Sequence, residues 1–131
     1  MTNSFKFVRD HGIVTEAEYP YVAVQGKCKI PEGTFKVSGY TEITNCNDLA
    51  NALTKWPVSV AVDASNWSSY RSGTFSNCST RLNHGVTLVG VSAKGWQVKN
   101  SWGTSWGESG YIWVKEGNTC GICNMASYPN K

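Results

Sequence analysis

Residues 82–107 read LNHGVTLVGVSAKGWQVKNSWGTSWG. Two runs inside this stretch, Val86–Val91 and Gly95–Lys99, carry β-branched and aromatic residues and are separated by Ser92-Ala93-Lys94-Gly95, a tight-turn composition. Two strands joined by so short a turn form a hairpin. His84 stands at the start of the first strand and Asn100 at the end of the second, so both fall at the same end of that hairpin. A carboxamide oxygen there can accept the imidazole N–H, fix the tautomer and aim the other ring nitrogen outward. Taken singly, each feature has a plainer reading. A lone His is more often structural, Asn-Ser is usually a turn, and Trp residues bracketing Gly are usually core. Taken together, in this order and spacing, they make His84 and Asn100 a candidate catalytic pair, a reading that leans on the family resemblance set out below.

Outward from the hairpin, the chain alternates short strands with one or two helices. Val58–Val62 is a strand by its β-branched content, and Phe35–Ile43 alternates apolar and polar as a strand does. Gly110–Val114 and Met125–Tyr128 complete the set. Ser4–His11 has helical spacing and stops at Gly12; a second helix runs through Leu49, Ala52 and Leu53, capped by Asn45 or Asn47 and ended near Trp56-Pro57. Asn66–Gly73 is a loop or short helix. With few non-sequential crossovers, this count predicts an α+β chain built on an antiparallel sheet or barrel with peripheral helices.

Composition narrows the function. Twelve basic against nine acidic residues leave a formal charge of +3 with no basic cluster, which gives no reason to invoke nucleic acid or an anionic membrane as a partner. Five Cys in 131 residues suggest an oxidising compartment, and the odd count leaves at least one thiol without a partner within the chain. Two sequons, at Asn66 and Asn77, are compatible with secretion. The first residues hold no apolar run of signal length. The simplest expectation is that Met1 is not the start of the natural precursor, the chain being a fragment or a truncated reading frame. Cys120-Gly-Ile-Cys123 looks superficially like a redox or zinc motif, but no second ligand pair stands at zinc spacing and no βαβ pattern flanks it, so neither a metal nor a cofactor is expected.

The run Asn83-His84-Gly85-Val86, then Trp96-Gln97-Val98-Lys99-Asn100-Ser101-Trp102-Gly103, then Trp106-Gly107 and Gly110-Tyr111, resembles the papain and cathepsin L family of cysteine peptidases. So do Tyr19-Pro20-Tyr21, Pro57–Val62 and the ending Cys120-Gly121-Ile122 with Ala126-Ser127-Tyr128-Pro129. The resemblance spans essentially the whole chain, and the ending is similar to protist members, ciliate ones in particular.

The resemblance implies the β-rich half of the papain-like fold. Residues 1–16 would be the tail of the N-terminal helical domain and residues 17–131 the C-terminal β-rich domain. It implies a thiol endopeptidase acting on peptide or protein substrates, in a lysosome, a vacuole or outside the cell. His84 matches the general acid/base, Asn100 the residue that orients it, and Trp102 the ring that shields their contact. Ala61, Leu82, Gly85 and Met125 match the walls of the main selectivity pocket, Asn83 a backbone contact to substrate, and Trp106 a further substrate-side ring. A Cys78–Cys120 disulfide is implied, with the partner of Cys28 in the absent half. Cys46 and Cys123 are then left over, and would meet if the strands beside them pair antiparallel.

Two departures stand out. Nothing here matches the segment that supplies the nucleophilic Cys and the oxyanion-hole glutamine, so the 131 residues alone are expected to be inactive without an N-terminal half. His84-Gly85 also replaces the commoner His-Ala. The alternative is a non-catalytic pseudo-peptidase, or a truncated half acting at most as a binding module.

Overall fold

Alternation of β-branched side chains on Val58-Ser59-Val60-Ala61-Val62 buries every second residue, the pattern of a strand with one face on a core. The computed structural model describes residues 1–131 and has seven strands and two helices: α1 (Thr2–His11), β1 (Gly39–Ile43), α2 (Cys46–Leu53), β2 (Val58–Val62), β3 (Thr74–Phe75), β4 (His84–Ser92), β5 (Gly95–Lys99), β6 (Tyr111–Val114) and β7 (Ala126–Asn130). A 3₁₀ turn at Thr119–Gly121 precedes β7. The strands form one open sheet in the order β1-β7-β2-β4-β5-β6-β3. No helix is long and apolar enough to cross a membrane.

The chain divides into two compact units, residues 1–41 with 129–131, and residues 42–128. In the first, α1 ends where Gly12 takes φ 79°, and its N–H donates to the Val8 carbonyl. Ile13 then bridges to Phe35, and Gly33 crosses so close to the Ile13 backbone that a Cβ there would collide with it. Phe5 stacks on Tyr40 at 6.2 Å. Cys28 is a free, exposed thiol in this unit.

In the second unit, Asn45 caps α2 by accepting the Asp48 N–H through its side chain. Leu49 from α2 and Val58, Val60, Leu88, Val98 and Ile112 from the sheet are fully buried in one core. Each such side chain contributes about 1.5–3 kcal/mol on burial. Two disulfides tie the periphery to it: Cys46–Cys123 fastens the start of α2 to the segment before β7, and Cys78–Cys120 fastens the loop after β3 to the 3₁₀ turn.

Three expectations need correction. The strand predicted over Phe35–Ile43 forms only from Gly39; Phe35 makes a single bridge and is 64% exposed. The sheet is not wholly antiparallel, because β3, unrecognised in the sequence at two residues, pairs parallel to β6. Crossovers are not few: β7 lies between β1 and β2, and β3 caps the far edge beyond β6. The sheet does not close into a barrel.

Loop-closure entropy gives a stability expectation. Replacing either disulfide by a Ser pair should cost about 4 kcal/mol in urea unfolding. Cys46–Cys123 spans 77 residues and Cys78–Cys120 spans 42. Loss of the first should therefore cost more by about 0.5 kcal/mol. A reversed order in the measured midpoints would show that side-chain packing, not chain entropy, governs both.

Candidate active site

The three central strands carry His84 to one edge of the core. In the antiparallel register Val58 opposes Leu88, Val60 opposes Val86, and Val62 opposes His84. Val58, Val60 and Val62 all face the core, so the His84 side chain lies on that face, one row beyond the last aliphatic pair. On the other flank Leu88 opposes Val98 and Thr87 opposes Lys99, which brings Asn100 to the same end. Asn100 is 8% exposed, and its N–H donates to the Gly110 carbonyl.

His84 Nε2 lies 2.9 Å from Asn100 Oδ1, and the Ser101 backbone N–H donates to the same oxygen at 2.9 Å. The second bond fixes the carboxamide, because turning it over would set Nδ2 against the Ser101 N–H, donor against donor. With Oδ1 so placed, His84 Nε2 must carry the proton and donate. The neutral ring then holds its lone pair on Nδ1.

Two indole rings pack against the imidazole. The Trp102 ring lies 5.1 Å from the His84 ring at an interplanar angle of 33°, and Trp67 meets His84 edge-on at 6.1 Å. Trp106 stacks on Trp67 at 6.1 Å, and its indole N–H donates to the Trp67 carbonyl. Trp102 is 42% exposed and Trp106 only 7%. Of the two rings expected on the substrate side, Trp102 presents a surface, while Trp106 is core that supports it. Trp67 is not legible in the sequence as a site residue; it sits in a polar stretch, Ser65 to Ser69, with no periodicity to mark it as buried.

Residues 1–130 match the family model described as papain family cysteine protease. The chain belongs to the papain family. It is 48% identical over 132 residues to cathepsin L 2 of Paramecium tetraurelia, and 42% identical over 144 residues to a cathepsin L-like proteinase of Fasciola hepatica. Those alignments take in 98% of this chain but only 42% and 44% of the relatives. Among solved structures, a cysteine protease of Carica candamarcensis superposes with a TM-score of 0.90 at 33% identity, over 99% of this chain and 67% of that one. The papain-family chain thus spans less than half the length of these cathepsin L relatives.

Within this papain-family chain, Ala61 pairs with Gly85 across β2 and β4, and the Ala61 N–H donates to the Met125 carbonyl. Ala61, Gly85 and Met125 therefore adjoin on the sheet face opposite His84. A Cβ at Gly85 would meet nothing within 4 Å, and Met125 is 52% exposed. Leu82 is half-buried over Gly121, where a Cβ would clash with its Cδ2. No group of three His, Cys, Asp or Glu side chains is arranged to hold a metal.

Asp63, just after β2, is unmarked in the sequence yet only 3% exposed. Bonds from the Ser65 hydroxyl, the Ser79 hydroxyl and both their backbone N–H groups hold its carboxyl well below the usual carboxylate range, against the opposing effect of burial. A carboxyl held low when folded adds stability above the pH at which it would protonate unfolded, and that stability is lost as pH falls through the folded value. Wild-type stability should therefore decline steeply below about pH 4. Asp63→Asn should be destabilised at pH 7 by about 1–3 kcal/mol and should show a flatter acid limb. Parallel acid limbs for the two proteins in urea unfolding would remove Asp63 as the source.

Proposed function

We propose that this chain supplies the acid/base half of a cysteine-type endopeptidase site, with His84 as general acid/base, Asn100 as its orienting partner and Trp102 as the ring that shields their bond. The observation that carries this reading is the 2.9 Å contact between His84 Nε2 and Asn100 Oδ1; with Nε2 donating there, Nδ1 is left to accept a thiol proton. The resulting imidazolium would stand beside a thiolate, the more nucleophilic form of the sulfur, and would later return the proton to the leaving amine. Asn100 keeps the imidazole aimed through both steps. The aromatic rings keep water from competing for its amide oxygen.

On this reading the nucleophile comes from a second polypeptide segment. Residues 1–16 belong with that segment's helical domain, and residues 17–131 form the β-rich domain. The disulfides and the cathepsin L relatives support a lysosomal, vacuolar or extracellular setting. A second reading has one observation in its favour. Every Cys of residues 42–128 is in a disulfide, so the unit that holds His84 holds no thiol. The chain would then be a pseudo-peptidase or a binding module.

The two readings separate by experiment. The 131-residue chain alone should neither hydrolyse peptides nor be labelled at Cys by an epoxide directed at thiol peptidases. Supplied with the nucleophile segment it should do both, and His84→Ala should lose about 10²–10⁴-fold in turnover, the usual worth of an acid/base group. Hydrolysis by the chain alone that disappears in His84→Ala would overturn the division of labour; no activity in the joined enzyme would favour the pseudo-peptidase.

Ala61, Leu82, Gly85 and Met125, with the Asn83 backbone beside them, are the proposed walls of the selectivity pocket. The small Ala61 and Gly85 leave room, Leu82 and Met125 are apolar, and Met125 adapts its shape. No carboxylate is among the four, so an Arg side chain would lose hydration without a partner, whereas Leu or Phe gains about 1.5–3 kcal/mol. The joined enzyme should prefer Leu, Val or Phe to Arg one residue before the scissile-bond residue. Met125→Glu should raise the relative rate for Arg, and an unchanged Leu-to-Arg ratio in a peptide library would sink the pocket assignment.

A further inference from the structure

Of nine acidic side chains, Asp63 is the one that is buried. No Lys or Arg pairs with it; the chain's one ion pair is Arg9–Asp10. Its partners are all neutral donors. Oδ1 accepts from the Ser65 N–H (3.1 Å), the Ser65 hydroxyl (2.6 Å) and Asn83 Nδ2 (3.1 Å). Oδ2 accepts from the Ser79 N–H and the Ser79 hydroxyl, both at 2.7 Å. A buried anion without a countercharge is costly, so it persists only where hydrogen bonds saturate it.

One of those bonds reaches the residue before His84. Asn83 Nδ2 donates to Asp63 and to the Ser65 hydroxyl, Asn83 Oδ1 accepts the Ala64 N–H at 3.0 Å, and the Asn83 N–H donates to the Val62 carbonyl at 2.9 Å. Asp63 itself donates its N–H to the Cys120 carbonyl, beside the Cys78–Cys120 disulfide. One carboxylate thus joins the turn after β2, the loop after β3 and the residue just before β4. An amide cannot replace it. Both oxygens face backbone N–H donors, so the NH₂ of an Asn in either orientation would meet one of them.

We propose that Asp63 is the positioning residue of the site: it holds Asn83, and through the chain His84, in the placement from which Nε2 reaches Asn100. It touches neither the imidazole nor any reacting atom. The proposal rests on the functional reading above, and its test does not use activity.

The imidazole ¹⁵N and Nε2–H signals of His84 are read by NMR in the 131-residue chain, in wild type, Asp63→Asn and Ser79→Ala, with Leu49→Ala as a control that weakens the core from α2. The wild type should show the Nε2–H tautomer with a slowly exchanging proton. Asp63→Asn should move the ¹⁵N shifts toward a tautomer mixture and speed exchange about tenfold, the loss of one hydrogen bond's protection. Ser79→Ala, which removes one donor and spares the fold, should move both in the same direction by less. Leu49→Ala should leave the tautomer unchanged. Wild-type ¹⁵N shifts in either folded Asp63→Asn or Ser79→Ala would overturn the proposal, and so would an equal change in Leu49→Ala. A wild type without the Nε2–H tautomer would overturn the His84–Asn100 reading first and this proposal with it.

Discussion

One skipped residue in the central hairpin decides which side of the sheet the site occupies. From the turn, β4 and β5 pair as Ser92 with Gly95, Val91 with Trp96 and Gly90 with Gln97; then Val89 is passed over, and Leu88 pairs with Val98. Without that bulge the register would run on to set Thr87 against Asn100. Side chains opposed across antiparallel strands share a face, and those one residue apart do not, so Asn100 would then point away from His84. With the bulge, the register continued one step sets Asn100 against Val86, two residues from His84 and on its face. The 2.9 Å bond between them is a consequence. So is its location, because that face is the core face, and Trp67, fully buried against the His84 ring, continues the core past its last aliphatic row.

Placing polar groups at the edge of a core has a cost that the local structure visibly offsets. Asn100 and Asp63 are both buried, and each satisfies its oxygens with backbone donors supplied by turns: Ser101 for Asn100, Ser65 and Ser79 for Asp63. Such donors are fixed by the chain path and need no side-chain ordering on their own account, so they bind an oxygen at little entropic cost. The Cys78–Cys120 disulfide closes the loop that brings Ser79 to Asp63. The Cys46–Cys123 disulfide fastens α2 to the approach of β7.

What the sequence discloses is what is local. The hairpin from Val86 to Lys99 is legible because its strands are adjacent and their turn is short. The Asn45 cap of α2 is legible as a polar residue ahead of an apolar period. Placing His84 and Asn100 at one end of that hairpin also follows from spacing, and the family pattern adds the role proposed for them. The bulge at Val89 is not legible, since Leu88-Val89-Gly90 reads as unbroken strand. Nor is the insertion of β7 between β1 and β2, which depends on contacts across more than sixty positions of chain. Asp63 reads as a residue of the turn after a strand. Its burial follows from Ser79, sixteen positions away, and from Asn83, twenty away.

A shared proton between a thiol and an imidazole needs two groups, and they need not be prepared by the same part of a fold. Here the imidazole side is ordered by its own neighbours: amide set by Ser101, Nε2 placed on Asn100, ring packed against Trp67 and Trp102, approach held by Asn83. All of these residues lie within 42–128, one compact unit. An imidazole prepared in this way pays its ordering entropy on folding, before any ligand arrives. On the function proposed above, a partner segment would then have only to present a thiol to a lone pair already aimed.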